Sequence, residues 1–113
     1  MMAYRIEGLA AEMFAPLFEM DEHELAERNA RLRECVDVMR ALFAGEVVDH
    51  DGLVRVDRAR LWTRPDEPPN LVGAAVSEET ARWCGEWADG LVTINQPRDT
   101  LVQVIEAFRD GGG

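Results

Sequence analysis

The chain reads as an α/β protein, and three stretches of its 113 residues carry that reading. Leu71-Val-Gly-Ala-Ala-Val76 and Leu91-Val-Thr-Ile-Asn95 are short apolar runs of strand length, and the segment from Ser77 to Trp87 between them has helical character. That order is one βαβ unit. Residues 21–45 carry apolar side chains at helical spacing, and Asp51-Gly52 between β-branched runs signals a hairpin. A parallel strand pair needs a helical crossover, sits in sheets buried on both faces, and binds ligands beyond the carboxyl ends of its strands. The turn from Ala74 to Glu79 is therefore the first place to expect a site.

In chain order, residues 1–20 come first. Ile6, Leu9, Ala10, Met13, Phe14 and Leu17 repeat at helical spacing there, but Pro16 interrupts the stripe. Asp21 and Glu24 form a capping-box pattern that opens a long amphipathic helix over residues 21–45. Its stripe is Leu25, Leu32, Cys35, Val36, Met39, Leu42 and Phe43, and Gly45 ends it. Residues 46–57 read as the hairpin, with His50 as a solvated turn residue. Residues 58–70 hold Pro65, Pro68 and Pro69, an extended connection in which Trp62 is expected to anchor the hairpin. Residues 71–113 read as two βα units. Pro97 begins the last helix, Leu101, Val104, Ile105 and Phe108 line it, and Gly111 stops it. The whole is expected to be a single, incomplete domain.

A formal charge of −10, from 22 acids and 12 bases, argues against nucleic acid and anionic membrane as partners. Every base is arginine, which removes lysine Schiff-base chemistry and a P-loop lysine. Cys35 and Cys84 are too far apart for a zinc or redox pair and read as buried thiols in a reducing, cytoplasmic setting. With two histidines at no paired spacing, no metal site is expected. No apolar run approaches the roughly 18 residues of a membrane span. Trp83 and Trp87, at i and i+4, share a side of the helix and are expected to pack against a neighbouring one.

An ordered series of short motifs then carries a family resemblance. Residues 30–46, the His50-Asp51-Gly52 hairpin, Ala59-Arg60-Leu61-Trp62, Glu67-Pro68-Pro69 and Ala88-Asp89-Gly90-Leu91 together resemble the bacterial luciferase-like flavin- and deazaflavin-dependent oxidoreductases. The branch they resemble most is that of the deazaflavin-dependent glucose-6-phosphate dehydrogenases. That family folds as a TIM barrel, for which roughly 250 residues is typical. The resemblance thus implies a partial (β/α)8 barrel of luciferase-like type, with a β-hairpin insertion before two consecutive βα units. It also implies a truncated chain, in which the family's early catalytic strands have no counterpart.

By the resemblance, Val76, Ser77, Glu79 and Thr80 match positions that touch the deazaflavin phosphate or its tail, and coenzyme F420 is the implied cofactor, with FMN as the alternative. From the residues alone, Ser77 is a good N-cap and free N–H groups at a helix start favour an anion, while Glu78 and Glu79 oppose one. Ser77 reads equally as an ordinary cap. Asn95, at the end of the second strand, is the candidate on the substrate side. Ile94 and Pro97 stand where the sugar-phosphate enzymes place a threonine and a lysine, which argues against a sugar phosphate. No catalytic residue is assigned: Glu19 is the candidate nearest the family's catalytic acid, but its spacing to His23 is one residue short.

The implied activity is hydride transfer between the deazaflavin and a small organic substrate. The alternative is a catalytically inactive barrel remnant or interaction module that associates through open sheet edges, as a homo-oligomer or with a related subunit.

Overall fold

The computed structural model describes residues 21–113. The interrupted stripe and the candidate Glu19 lie outside the described residues. Within them the order is α1 (Glu22–Phe43), β1 (Val48–Asp51), β2 (Arg55–Ala59), β3 (Val72–Ala74), α2 (Glu78–Gly85), β4 (Gly90–Val92) and α3 (Arg98–Asp110).

Helix α1 starts and stops where its terminal residues dictate. Asp21 is the N-cap, its carboxylate accepting from the Glu24 N–H at 2.7 Å. At the other end Gly45 takes φ +87°, its N–H donates to Leu42 O at 3.0 Å, and the Glu46 N–H donates to Ala41 O at 3.1 Å. This paired closure needs a left-handed residue, which glycine supplies without a Cβ penalty. The apolar stripe is buried only in the second half of the helix: Val36 is 1% exposed, whereas Leu25 and Leu32 are more than 40% exposed.

The hairpin forms, but its turn begins one residue later than the Asp-Gly step suggests. β1 and β2 pair antiparallel, with Asp51 opposite Arg55, and the turn is Gly52-Leu53-Val54, closed by Gly52 N–H to Val54 O at 3.0 Å. Among the described glycines only Gly45 and Gly112 have positive φ, so Gly52 is not the left-handed residue of a two-residue turn. Close approach explains it: a Cβ at Gly52 would overlap the Glu34 carboxylate. Farther along, the register slips between Val48 and His50, leaving Asp49 opposite Asp57 and Arg58. Arg58 absorbs this bulge with φ +46°, and its N–H is held by the Asp49 carboxylate at 2.9 Å.

Glu34 ties the hairpin to α1. It accepts from His50 Nε2 at 2.5 Å and from the Leu53 N–H at 3.0 Å. His50 is therefore a docking residue, not the solvated turn residue expected. The hydrogen bond from His50, then the Leu53 N–H and the charge on His50, hold the Glu34 carboxyl below its ordinary value against partial desolvation. A depressed acid contributes stability above its unfolded pKa, about 4.3, and loses it as pH falls through the lower folded value. Acidification below about pH 4 should therefore release the hairpin. Amide exchange at Leu53 measures this: protection should fall on acidification in the wild type but stay pH-independent over the same range in Glu34→Gln.

β3 and β4 pair parallel, with Val72 opposite Gly90, Gly73 opposite Leu91 and Ala74 opposite Val92, and α2 makes the crossover. Helix α3 packs on α2, and one core gathers Val36 of α1, Ala81 and Cys84 of α2, Trp87, and Val104 and Ala107 of α3. Ala107, rather than Ile105, completes the buried face of α3. Trp83 and Trp87 meet edge to face, with centroids 5.4 Å apart, as structural residues. Trp62 does not anchor the hairpin: it is 85% exposed, with the Arg60 guanidinium stacked on its ring.

At the start of both strands, Asp89 accepts from the Leu71 N–H at 2.9 Å and pairs with Arg40 of α1 at 3.2 Å. The Leu71 N–H first, and Arg40 second, hold its carboxyl below the usual range. This clip fixes the sheet against α1 at the end remote from the turn of interest. The sheet itself departs from expectation. Its helix-side face is buried, but Val72 and Val92 on the other are 51% and 58% exposed, so among the described residues only one face is covered.

Candidate functional site at the strand ends

The turn after β3 is built by a change of backbone direction. Ala75 extends the ladder one residue past the strand, its N–H donating to Val92 O at 3.1 Å. Val76 then turns outward, 57% exposed, and Ser77 ends the turn with extended backbone, φ −114° and ψ 158°. The Ser77 hydroxyl accepts from the Thr80 N–H at 3.2 Å and donates to Thr80 Oγ1 at 3.1 Å. Ser77 is thus the N-cap of α2. The N–H groups of Glu78 and Glu79 lie in the first turn, where an α-helix offers no internal acceptor.

Beside this turn lies a cleft of about 290 Å³ at the carboxyl ends of β3 and β4. Ala74, Ala75, Val76 and Thr80 form one wall, and Val92, Thr93 and Ile94 the other. Val76 and Thr80 therefore line it. Ser77 borders it as the cap, Glu79 is exposed on the first turn of α2, and Asn95 is exposed beyond the cleft wall. Gln96 is committed elsewhere, donating to Thr93 Oγ1 at 2.9 Å. The wall from Val92 to Ile94 was not singled out as cleft lining. Strand alternation is the signal that finds it, since Val92 and Ile94 share a face just beyond the strand end.

Behind β3, Cys84 is fully buried, with its sulfur 4.0 Å from Ala74 O, and burial pushes its thiol up. Cys35 is only half-buried, so the two thiols differ where similar burial was expected. With a thiol-reactive disulfide reagent, Cys35 should react in the folded protein and Cys84 only on unfolding. Equal rates for the two would contradict this placement.

A larger depression of about 570 Å³ runs along the hairpin, lined by Asp49, His50, Asp51, Arg55, Val56 and Asp57. Its polar groups are mutually engaged: Asp49 holds the Arg58 N–H, Asp51 pairs with Arg55, and His50 binds Glu34. Among the described residues, no cluster of three or more His, Cys, Asp or Glu is placed to hold a metal ion. None of the described helices is long and apolar enough to cross a membrane.

Comparison with known proteins adds the lineage. The family model described as luciferase-like monooxygenase matches residues 8–112. A protein of Nakamurella multipartita named F420-dependent glucose-6-phosphate dehydrogenase is 34% identical over 91 residues, covering 78% of this chain and 27% of that protein. Proteins of the same name from Gordonia bronchialis and Tsukamurella paurometabola are 32% and 35% identical over 107 residues, each covering 92% of this chain and 32% of the relative. The chain thus spans between a quarter and a third of the length of these curated relatives. With a parallel βαβ unit, a cleft at its strand ends and a family match across nearly the whole sequence, the chain belongs to the luciferase-like monooxygenase family.

Proposed function

We propose that this chain supplies the cofactor-phosphate side of an F420-dependent oxidoreductase site, built on part of a (β/α)8 barrel, with FMN as the alternative cofactor. The observation that carries the proposal is the Ser77-capped start of α2 opening beside the cleft at the ends of β3 and β4. Relatives named for F420 dependence support the choice of cofactor.

The donor set fits a phosphate. The N–H groups of Glu78 and Glu79 and the hydroxyls of Ser77 and Thr80 are the groups that would hold it, and Val76 would pack beside it. Glu78 and Glu79 oppose the anion through their carboxylates, but exposed charges interact by only about 0.2–1 kcal/mol. Hydrogen bonds to a charged group contribute about 1.5–3 kcal/mol each, so attraction wins. When bound, the deazaflavin supplies hydride chemistry toward a small organic substrate. The chain's own part is to position it: Ala74 and Ala75 leave room for approach, and Asn95 stands at the rim on the substrate side.

Isothermal titration of the purified chain with coenzyme F420 tests this. Binding should be measurable and at least about tenfold weaker in Ser77→Ala, since one hydrogen bond to a charged group contributes about 1.5–3 kcal/mol. Absence of binding to the wild type would remove the cofactor assignment.

The exposure of Val72 and Val92 favours a second reading, self-association through the bare sheet as an inactive remnant or interaction module. Sedimentation velocity distinguishes the two. That reading requires an oligomer dispersed by Val92→Lys; a monomer that binds F420 excludes it.

A further inference from the structure

The wall of the cleft on the β4 side narrows the substrate class, and this inference rests on the oxidoreductase reading above. We infer that it takes an uncharged, largely apolar organic molecule, of the size of a small cyclic ketone or alcohol, and not a phosphorylated sugar such as the one for which the relatives are named.

Three observations carry this. Among the described residues no charged side chain lines the cleft, and its β4-side wall presents two large aliphatics, Val92 and Ile94, exposed at 58% and 48%. Among the described residues the hydroxyl of the β4-side wall is that of Thr93, which already accepts from Gln96, while Thr80 stands on the cofactor side. One or two neutral hydrogen bonds suit a carbonyl or alcohol oxygen. A phosphate dianion on this wall would lose water without gaining a guanidinium or ammonium partner, in a chain of net charge −10. Arg98, the arginine nearest to Ile94 along the chain, opens α3, and neither it nor Arg82 of α2 is part of the lining. The cofactor anion is a separate matter, because the groups that would hold it, the Glu78 and Glu79 amides and the Ser77 and Thr80 hydroxyls, belong to the α2 side of the cleft and not to the wall from Val92 to Ile94.

The volume agrees in scale. About 290 Å³ is at the lower end of small-molecule pockets, where burial of apolar surface supplies most of the affinity.

The test is a set of ¹⁵N–¹H correlation titrations of the full chain with cyclohexanone, with glucose 6-phosphate and with F420. Cyclohexanone should produce saturable shifts at the amides of Val92, Thr93 and Ile94, and glucose 6-phosphate should bind there at least tenfold more weakly. Ile94→Arg should reverse that order, with the dispersion of its spectrum reporting that it folds. Glucose 6-phosphate binding at least as tightly as the ketone, or loss of its binding in Arg98→Ala, would overturn the inference. The F420 arm separates the two readings. F420 shifts at Glu78 and Glu79 without any ketone response sink the substrate inference alone; a ketone response without F420 shifts supports the neutral specificity and removes the cofactor.

Discussion

Trp87→Ala is expected to lower the unfolding free energy by about 3–5 kcal/mol, the largest single effect in the chain. Trp87 follows the end of α2 and is 7% exposed, in the same core as Val36 of α1, Cys84 of α2 and Val104 of α3. Its ring also meets Trp83 edge to face. Truncation would leave a cavity with walls from three helices, which are tied by backbone hydrogen bonds and cannot all collapse inward. Against a typical total of about 5–15 kcal/mol, such a loss approaches global unfolding. The Nε1 group makes no hydrogen bond among the described residues, so Trp87→Phe gives up volume alone and should cost less. Urea denaturation followed by circular dichroism measures both. A midpoint for Trp87→Ala within error of the wild type would contradict the core assignment.

Gly85→Ala and Gly111→Ala should each destabilise by about 1–3 kcal/mol or more, in the opposite sense, through overpacking. A Cβ at Gly85 would overlap the Phe108 carbonyl oxygen and stand 3.0 Å from Gly111 Cα; one at Gly111 would overlap the Arg82 carbonyl oxygen. These neighbours are backbone atoms, so no rotamer change relieves the clash. The seam between α2 and α3 must open instead. The same substitution on an exposed helical surface would raise helix propensity, which makes the sign diagnostic. Thermal unfolding should show both variants below the wild type, and a stabilised Gly111→Ala would refute the close helix approach.

Legibility in the sequence followed the range of the forces involved. The caps Asp21, Gly45 and Ser77 act within one turn on their own neighbours, and all three sit where the local pattern puts them. The parallel βαβ order followed from two apolar runs around a capped helix. Gly52 was misleading because glycine answers two demands, positive φ and close approach, and only the second holds there; the cause is Glu34, eighteen residues away. His50 failed for the same reason, since its partner lies on another element. Trp62 was assigned an anchor role by residue type, yet among the described residues it stays 85% exposed with Arg60 stacked on its ring. At the candidate site, the Ser77 cap was legible from turn chemistry, while Val76 and Thr80, suggested by family likeness alone, line the cleft. On the opposite wall, alternation puts Val92 and Ile94 on one face, but that this face stands beside Val76 depends on the register between β3 and β4, which the sequence alone does not state.

The most direct measurement is the residue-resolved response of the amides of residues 74–80 to coenzyme F420. Saturable shifts centred on Glu78 and Glu79, diminished in Ser77→Ala while the hairpin amides stay unmoved, are the predicted result. Saturation at the hairpin with residues 74–80 silent would contradict an anion-binding turn at the ends of β3 and β4.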